Sequence, residues 1–200
     1  MLMNMKSLLA VANAHNFAVP AFNTPTGMMM RGILEASEEM NAPVIIEVHP
    51  DELALARPSF ITALVEEAHK AKVPVCIHMD HASTLDQIML AIQCGYTSVM
   101  IDASSKPFEE NVALTREVCR IAHAVDVSVE AELGTIGTTA QSMTTTSSTE
   151  IHYTEPEEAT RFVAETGVDT LAIAIGTCHG IYPKGMVPTL QIQRLKDIKK

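Results

Sequence analysis

The sequence predicts an α/β fold built on a parallel sheet. Short β-branched runs alternate with helical stretches from one end of the chain to the other. Several of these runs are apolar at nearly every position, as a strand covered on both faces requires. Ionisable residues gather where those runs end, and in a parallel α/β fold such ends meet on one face. Six βα units of roughly 25–40 residues each fit either an open doubly wound sheet or a (β/α)8 barrel. No Gly-x-Gly-x-x-Gly follows the first run, which lowers the case for dinucleotide binding.

Near the start, residues 6–14 (KSLLAVANA) carry an Ala-x-Ala ending of signal-peptide type. The apolar run is short for a signal peptide and reads as a first amphipathic helix. The predicted strands are 17–23 (FAVPAFN), 43–48 (PVIIEV), 74–79 (PVCIHM), 98–102 (SVMID), 127–133 (VSVEAEL) and 170–176 (TLAIAIG). Charged outer faces mark two helices, around Glu35, Glu38 and Glu39 and around Glu66, Glu67 and Lys70. Ser83 or Thr84 opens another helix, which Gly95 closes. Pro107 starts a helix running to about Val125. Thr154 and Glu157 have capping-box spacing, and Gly167 ends the helix they open. Residues 190–200 also have helical spacing. Met28, Met29 and Met30 are expected to fill the core.

Composition narrows the function classes. Apolar residues make up 47% of the 200 residues and charged residues 19%, enough for a substantial core. Fourteen basic and 24 acidic side chains leave a formal charge of −10, which argues against a sequence-independent grip on nucleic acid or anionic membrane. No segment reaches the ~18 consecutive apolar residues that span a bilayer. Cys76, Cys94, Cys119 and Cys178 match no zinc-finger or CxxC spacing and read as free, packed thiols of a reducing, cytoplasmic compartment. The Thr/Ser-rich stretch 137–149 follows the fifth strand and reads either as a solvated linker or as a lid over the site.

Polar residues in apolar strands are costly unless they pair or bind something. Strand three ends in His78-Met79-Asp80-His81, strand four in Asp102, and strand one in Asn23. Strand five carries Glu130 and Glu132, and strand six runs into His179-Gly180. Any one of these histidines reads most simply as a hydrogen-bonded core residue, and Glu132 as a structural ion pair. The cluster, drawn from separate strands, points instead to a divalent metal held by imidazole and carboxylate, a donor set that suits zinc among first-row ions. His15, His49, His69, His123 and His152 have no evident partner in sequence. Cys178 adjoins His179 but reads as a packed thiol. Lys106 and Lys184 lie in loops and no strand contains a Lys, so a Schiff-base mechanism lacks a nucleophile.

Five segments in order, AVPAFN (18–23), HMDH (78–81), MIDAS (100–104), EAELG (130–134) and AIGTCHG (174–180), resemble the class II, zinc-dependent fructose-bisphosphate and tagatose-bisphosphate aldolases. The resemblance covers essentially the whole chain, and the tagatose-type branch is the nearer likeness. It implies a (β/α)8 TIM barrel, with residues 1–200 as one partial barrel domain supplying about the first six βα units. It implies zinc ligands at His81 and His179, with Asp102 and Glu132 orienting them or taking the metal at an alternate position. Asp80 would be the acid/base on the hydroxyl beside the cleaved bond, Gly180 would touch the ketose phosphate, and Asn23 would face the site. The implied reaction is reversible cleavage of a ketose 1-phosphate or 1,6-bisphosphate to dihydroxyacetone phosphate and an aldehyde, in a cytoplasmic homo-oligomer whose partner is a sugar phosphate, with neither nucleic acid nor membrane.

The chain departs from the family pattern twice. Family members continue for two more βα units, which carry a third zinc histidine, a Gly-rich loop and the main phosphate site. A chain ending at Lys200 is therefore expected to be a fragment, or to have its gap filled by another polypeptide. The other reading is a non-catalytic, aldolase-like subunit. In addition, the loop after EAELG lacks its usual acid: none occurs between Glu132 and Glu150. Glu150 would have to swing in, or another group would serve.

Overall fold

Six parallel strands form one sheet in chain order: β1 (Ala21–Asn23), β2 (Val44–Val48), β3 (Val75–Ala82), β4 (Ser98–Ile101), β5 (Ser128–Leu133) and β6 (Thr170–Ile173). The order never reverses, as it would in a doubly wound sheet, and the sheet curls into a half-barrel, a partial TIM barrel. This computed structural model describes residues 1–135, 151–182, 184–185 and 187–200. The expected lid, 137–149, and Glu150 lie outside the described residues.

The two faces of the sheet bury different chemistry. Val44, Ile46, Val48, Val75, Ile77, Val99, Ile101, Val129 and Ala131 point outward into one large core under the helices. Those helices are α2 (Gly27–Glu39), α3 (Pro50–Ala56), α4 (Pro58–Lys70), α5 (Leu85–Cys94), α6 (Phe108–His123) and α7 (Pro156–Thr166); α8 (Ile192–Ile198) ends the chain. Fully buried members such as Ile46 and Ile77 each contribute about 1.5–3 kcal/mol relative to exposure. Alternation then sends Ile45, Glu47, Cys76, His78, Ser98, Ser128, Glu130 and Glu132 to the concave side. At its amino-terminal end that side is closed by α1 (Met5–His15), whose Met5 and Leu8 pack on Ile45 and Cys76. The opposite, carboxyl end is left polar.

Local signals explain most boundaries. Thr84 caps α5 in a box with Gln87, and Gly95, at φ +97°, ends it. Gly167 ends α7 in the left-handed region. Several expectations need correction. Residues 17–20 are not strand: Phe17 N donates to Ala12 O as α1 unwinds, and pairing begins only when Pro20 O accepts from Ile45 N. Thr154 does not cap α7, because its hydroxyl is spent elsewhere; it donates to Leu133 O and accepts from Ala174 N at 2.8 Å, clasping the ends of β5 and β6. Of the three methionines only Met30 is buried; Met28 is 78% exposed. Consecutive helical residues lie about 100° apart, so a row of three cannot share the core. Helix α3 has no counterpart among the predicted helices, although Pro50 and a His49–Glu52 capping box open it. His123 is not partnerless: its Nε2 lies 2.7 Å from Asp169 Oδ2, which also meets Lys6 through Oδ1 at 2.9 Å.

Candidate metal and active site

The site is assembled at the carboxyl ends of the strands, and a bulge in β3 shapes it. The β3–β4 register shifts between Met79 and Ala82, and His81 sits at φ +48°. A non-glycine residue there costs about 1–2 kcal/mol, a strain that persists only where surrounding contacts enforce it. The kink turns the His81 ring toward β4, where Nδ1 lies 3.0 Å from Asp102 Oδ2. Asp102 is itself held through Oδ1 by Ser104 N at 3.0 Å and Ser104 Oγ at 2.7 Å. With Nδ1–H held by the carboxylate, Nε2 is the nitrogen left to ligate, once an ion displaces the proton it carries in the imidazolium form. Nε2 is 3.7 Å from Asp80 Oδ1, beyond hydrogen-bond reach.

His179 arrives from the loop after β6, its ring edge-on to His81 with centroids 5.2 Å apart. Its Nε2 is buried with no hydrogen-bond partner among the described residues. Such an atom is costly to leave unsatisfied, and a cation would satisfy it. Ligand atoms of His81, Asp102 and Glu132 lie within 4.8 Å of one another. His179 stands just outside that trio. One imidazole and two carboxylates thus share one small volume, with the second imidazole against its edge, a donor set that fits zinc.

Electrostatics separates the two histidines. Burial pulls the His81 imidazolium down, but the Asp102 hydrogen bond and the charges of Asp80, Asp102 and Glu132 outweigh it and lift His81 to about 9. Burial opposes charge on Asp102 as well, yet its bonds to His81 and Ser104 hold it below the usual carboxylate range. Burial, and then the His81 charge, lower His179, keeping it neutral and able to ligate.

Asp80 stands beside this group. Its Oδ2 accepts from Asn23 Nδ2 at 2.9 Å, so β1 fixes the carboxylate of β3. Gly180 follows His179, exposed and at φ +94°. Cys178 is half-buried and its backbone N donates to Tyr182 OH at 2.7 Å; its thiol joins no metal-type group among the described residues. Lys106 and Lys184 are exposed.

One further group was not singled out from sequence. Glu47, His78 and Asp80 also bring ligand atoms within 4.8 Å of one another. Burial and then the Asp80 charge push Glu47 up to about 7. His78 is enclosed: Nδ1 lies 2.9 Å from Ser98 Oγ and Nε2 3.3 Å from Glu130 Oε2. The available signal was a Glu at the inward position of an otherwise apolar strand, VIIEV.

Two glycines permit the strand exits around the site. At Gly134, φ +82°, a Cβ would fall 2.6 Å from His152 O. At Gly176, φ +122°, it would fall 2.2 Å from Thr189 O.

A family model described as "Fructose-bisphosphate aldolase class-II" matches residues 3–200. A curated fructose-bisphosphate aldolase of Giardia intestinalis (strain ATCC 50803 / WB clone C6) is 42% identical over 183 residues, covering 90% of this chain and 55% of that protein. The chain therefore spans little more than half the length of this relative. Among solved structures, the YdjI aldolase of Escherichia coli K12 superimposes with a TM-score of 0.85 at 35% identity, over 99% of this chain and 69% of that one. The fructose-bisphosphate aldolase of Campylobacter jejuni gives 0.78 at 26% identity, over 99% and 65%. The chain belongs to the class II fructose-bisphosphate aldolase family.

Proposed function

We propose that the complete protein is a zinc-dependent aldolase that reversibly cleaves a ketose 1-phosphate or 1,6-bisphosphate, of fructose or tagatose type, into dihydroxyacetone phosphate and an aldehyde. The observation that carries this reading is the meeting of His81, His179, Asp102 and Glu132 beside Asp80, on the face where barrels of this kind place their chemistry. His81 and His179 would hold the ion. Asp102 would fix the His81 tautomer, and Glu132 would ligate or orient. Zinc, when bound, supplies Lewis acidity toward the ketose carbonyl.

The remaining chemistry belongs to the chain's own residues. Asp80 takes the C4 hydroxyl proton as the C3–C4 bond breaks. C4 becomes the aldehyde carbon, and the bonding electron pair stays with the C1–C3 fragment, which takes up a proton from solvent at C3 to leave as dihydroxyacetone phosphate. In condensation Asp80 returns the proton. Asn23, by holding Oδ2, keeps that carboxylate aimed. Gly180, exposed and without a side chain, would bring its backbone to the ketose phosphate.

The same reading gives a sugar phosphate as the partner, and a cytoplasmic homo-oligomer as the working form. In its support, the cysteines are free, and no helix among the described residues is long and apolar enough to cross a membrane. The test is cleavage of ketose phosphates by the complete protein, coupled to detection of dihydroxyacetone phosphate. Activity should vanish on exhaustive chelation and return with zinc. Asp80→Ala should lower kcat by about 10²–10⁴-fold, the usual worth of a general acid/base. Turnover that survives chelation, or full activity in Asp80→Ala, would defeat the reading.

A further inference from the structure

Glu47 has no role in the chemistry above, yet its carboxylate lies within 4.8 Å of an Asp80 oxygen. It stands in register between Asn23 on β1 and His78 on β3. Its side chain makes no hydrogen bond among the described residues, and it is only half-buried. The charges acting on it are Asp80, Glu130, His78 and His81; no Lys or Arg is among them. The imidazole at the β2 exit, His49, has Nδ1 engaged by Asp51 N at 3.1 Å. A carboxyl group is thus presented to the mouth of the site with two imidazoles, and no Lys or Arg among the described residues, to offset its charge.

Its position relative to Asp80 decides what it meets. The metal-type donors come from the end of β3, from β4 and β5, and from the loop after β6. On the aldolase reading, on which this inference rests, the ketose carbonyl and C3 face those donors and C4 faces Asp80. The carbon chain beyond C4 then runs the other way, over β1 and β2, past Asn23 and Glu47. We propose that Glu47 is a specificity-determining residue, selecting a substrate whose carbons beyond C4 carry hydroxyl groups and disfavouring one that ends in a second phosphate. A carboxyl group exchanges hydrogen bonds with sugar hydroxyls. In its ionised form the same group repels a phosphate dianion across a half-buried gap, where screening is incomplete. Such selection works through the repulsive contact as much as the attractive one.

The experiment compares kcat/KM of the zinc-loaded complete protein for matched ketose 1-phosphates and ketose 1,6-bisphosphates. At about pH 8.5, above the Glu47 pKa of about 7, the 1-phosphate should be preferred about tenfold, the effect of one carboxylate charge near a dianion in a partly screened site. Glu47→Gln should shrink that ratio about tenfold, chiefly by lowering KM for the bisphosphate. Should the variant fail to fold, condensation by the unmodified protein gives the same comparison: dihydroxyacetone phosphate should add to glyceraldehyde more efficiently than to glyceraldehyde 3-phosphate. Preference for the phosphorylated partner, or a ratio unmoved by Glu47→Gln, overturns the role of Glu47 and leaves the aldolase reading standing. Failure to cleave any ketose phosphate overturns both.

Discussion

Replacing Thr154 by Val tests how the two strands that carry Glu132 and lead to His179 are held together. Val keeps the shape of Thr and removes only the hydroxyl. That hydroxyl donates to Leu133 O and accepts from Ala174 N, and Thr154 is 1% exposed. Its loss leaves one acceptor and one donor without their partner in a site closed to water. Each costs about 1–3 kcal/mol, so the variant should be destabilised by roughly 2–6 kcal/mol. A helix-capping role would predict only about 1 kcal/mol. Thr154→Ser, which keeps the hydroxyl, should recover most of the difference. Urea unfolding followed by circular dichroism, with slopes compared to confirm a common transition, gives the numbers. A Thr154→Val variant within 1 kcal/mol of the parent would refute the clasp and with it this account of how the β5 and β6 ends are fixed.

Asp169, buried between Lys6, His123 and Val129 N, should behave as an acid-sensitive tie at the opposite end of the sheet. Burial opposes its charge, but the bonds from Lys6, Val129 N and His123 hold its pKa below the ordinary value. A depressed folded-state pKa means that its stabilisation is present above the unfolded carboxylate range, near pH 4, and fades as pH falls through the lower folded value. Asp169→Asn should therefore cost on the order of 2 kcal/mol at pH 7 and progressively less below about pH 4. Denaturant titrations of both proteins from pH 3 to 7 would show it; a difference that does not change with pH would count against the tie. Gly176→Ala should lower stability by more than 2 kcal/mol, since its Cβ would meet Thr189 O at 2.2 Å from a left-handed backbone. A thermal melt matching the parent would contradict that contact.

The strand plan was legible because burial on both faces demands β-branched runs, and five of the six runs lie where pattern places them. The first shortened because Pro20 cannot donate to a ladder and α1 uses the preceding residues to terminate. The strand-end clustering of His81, Asp102, Glu132 and His179 was also legible, since parallel topology collects such ends whatever the detailed geometry. What pattern could not supply was local competition and local bending. Thr154 has the spacing of a cap but is captured by two strand ends. The bulge that turns His81 toward Asp102 leaves no mark in the run HMDH. Glu47 is an inward side chain in a strand whose other residues are all apolar, and its proximity to Asp80 depends on register across two strands.

Zinc affinity decides whether His81 and His179 hold a shared ion. Competition with a chromophoric chelator should find one tightly held zinc per complete chain. His81→Ala and His179→Ala should each weaken it at least 100-fold, and Asp102→Asn by about 10–100-fold, as an orienting partner does. Removing a histidine without loss of zinc affinity, or a parent protein that takes up no zinc, would contradict a shared ion.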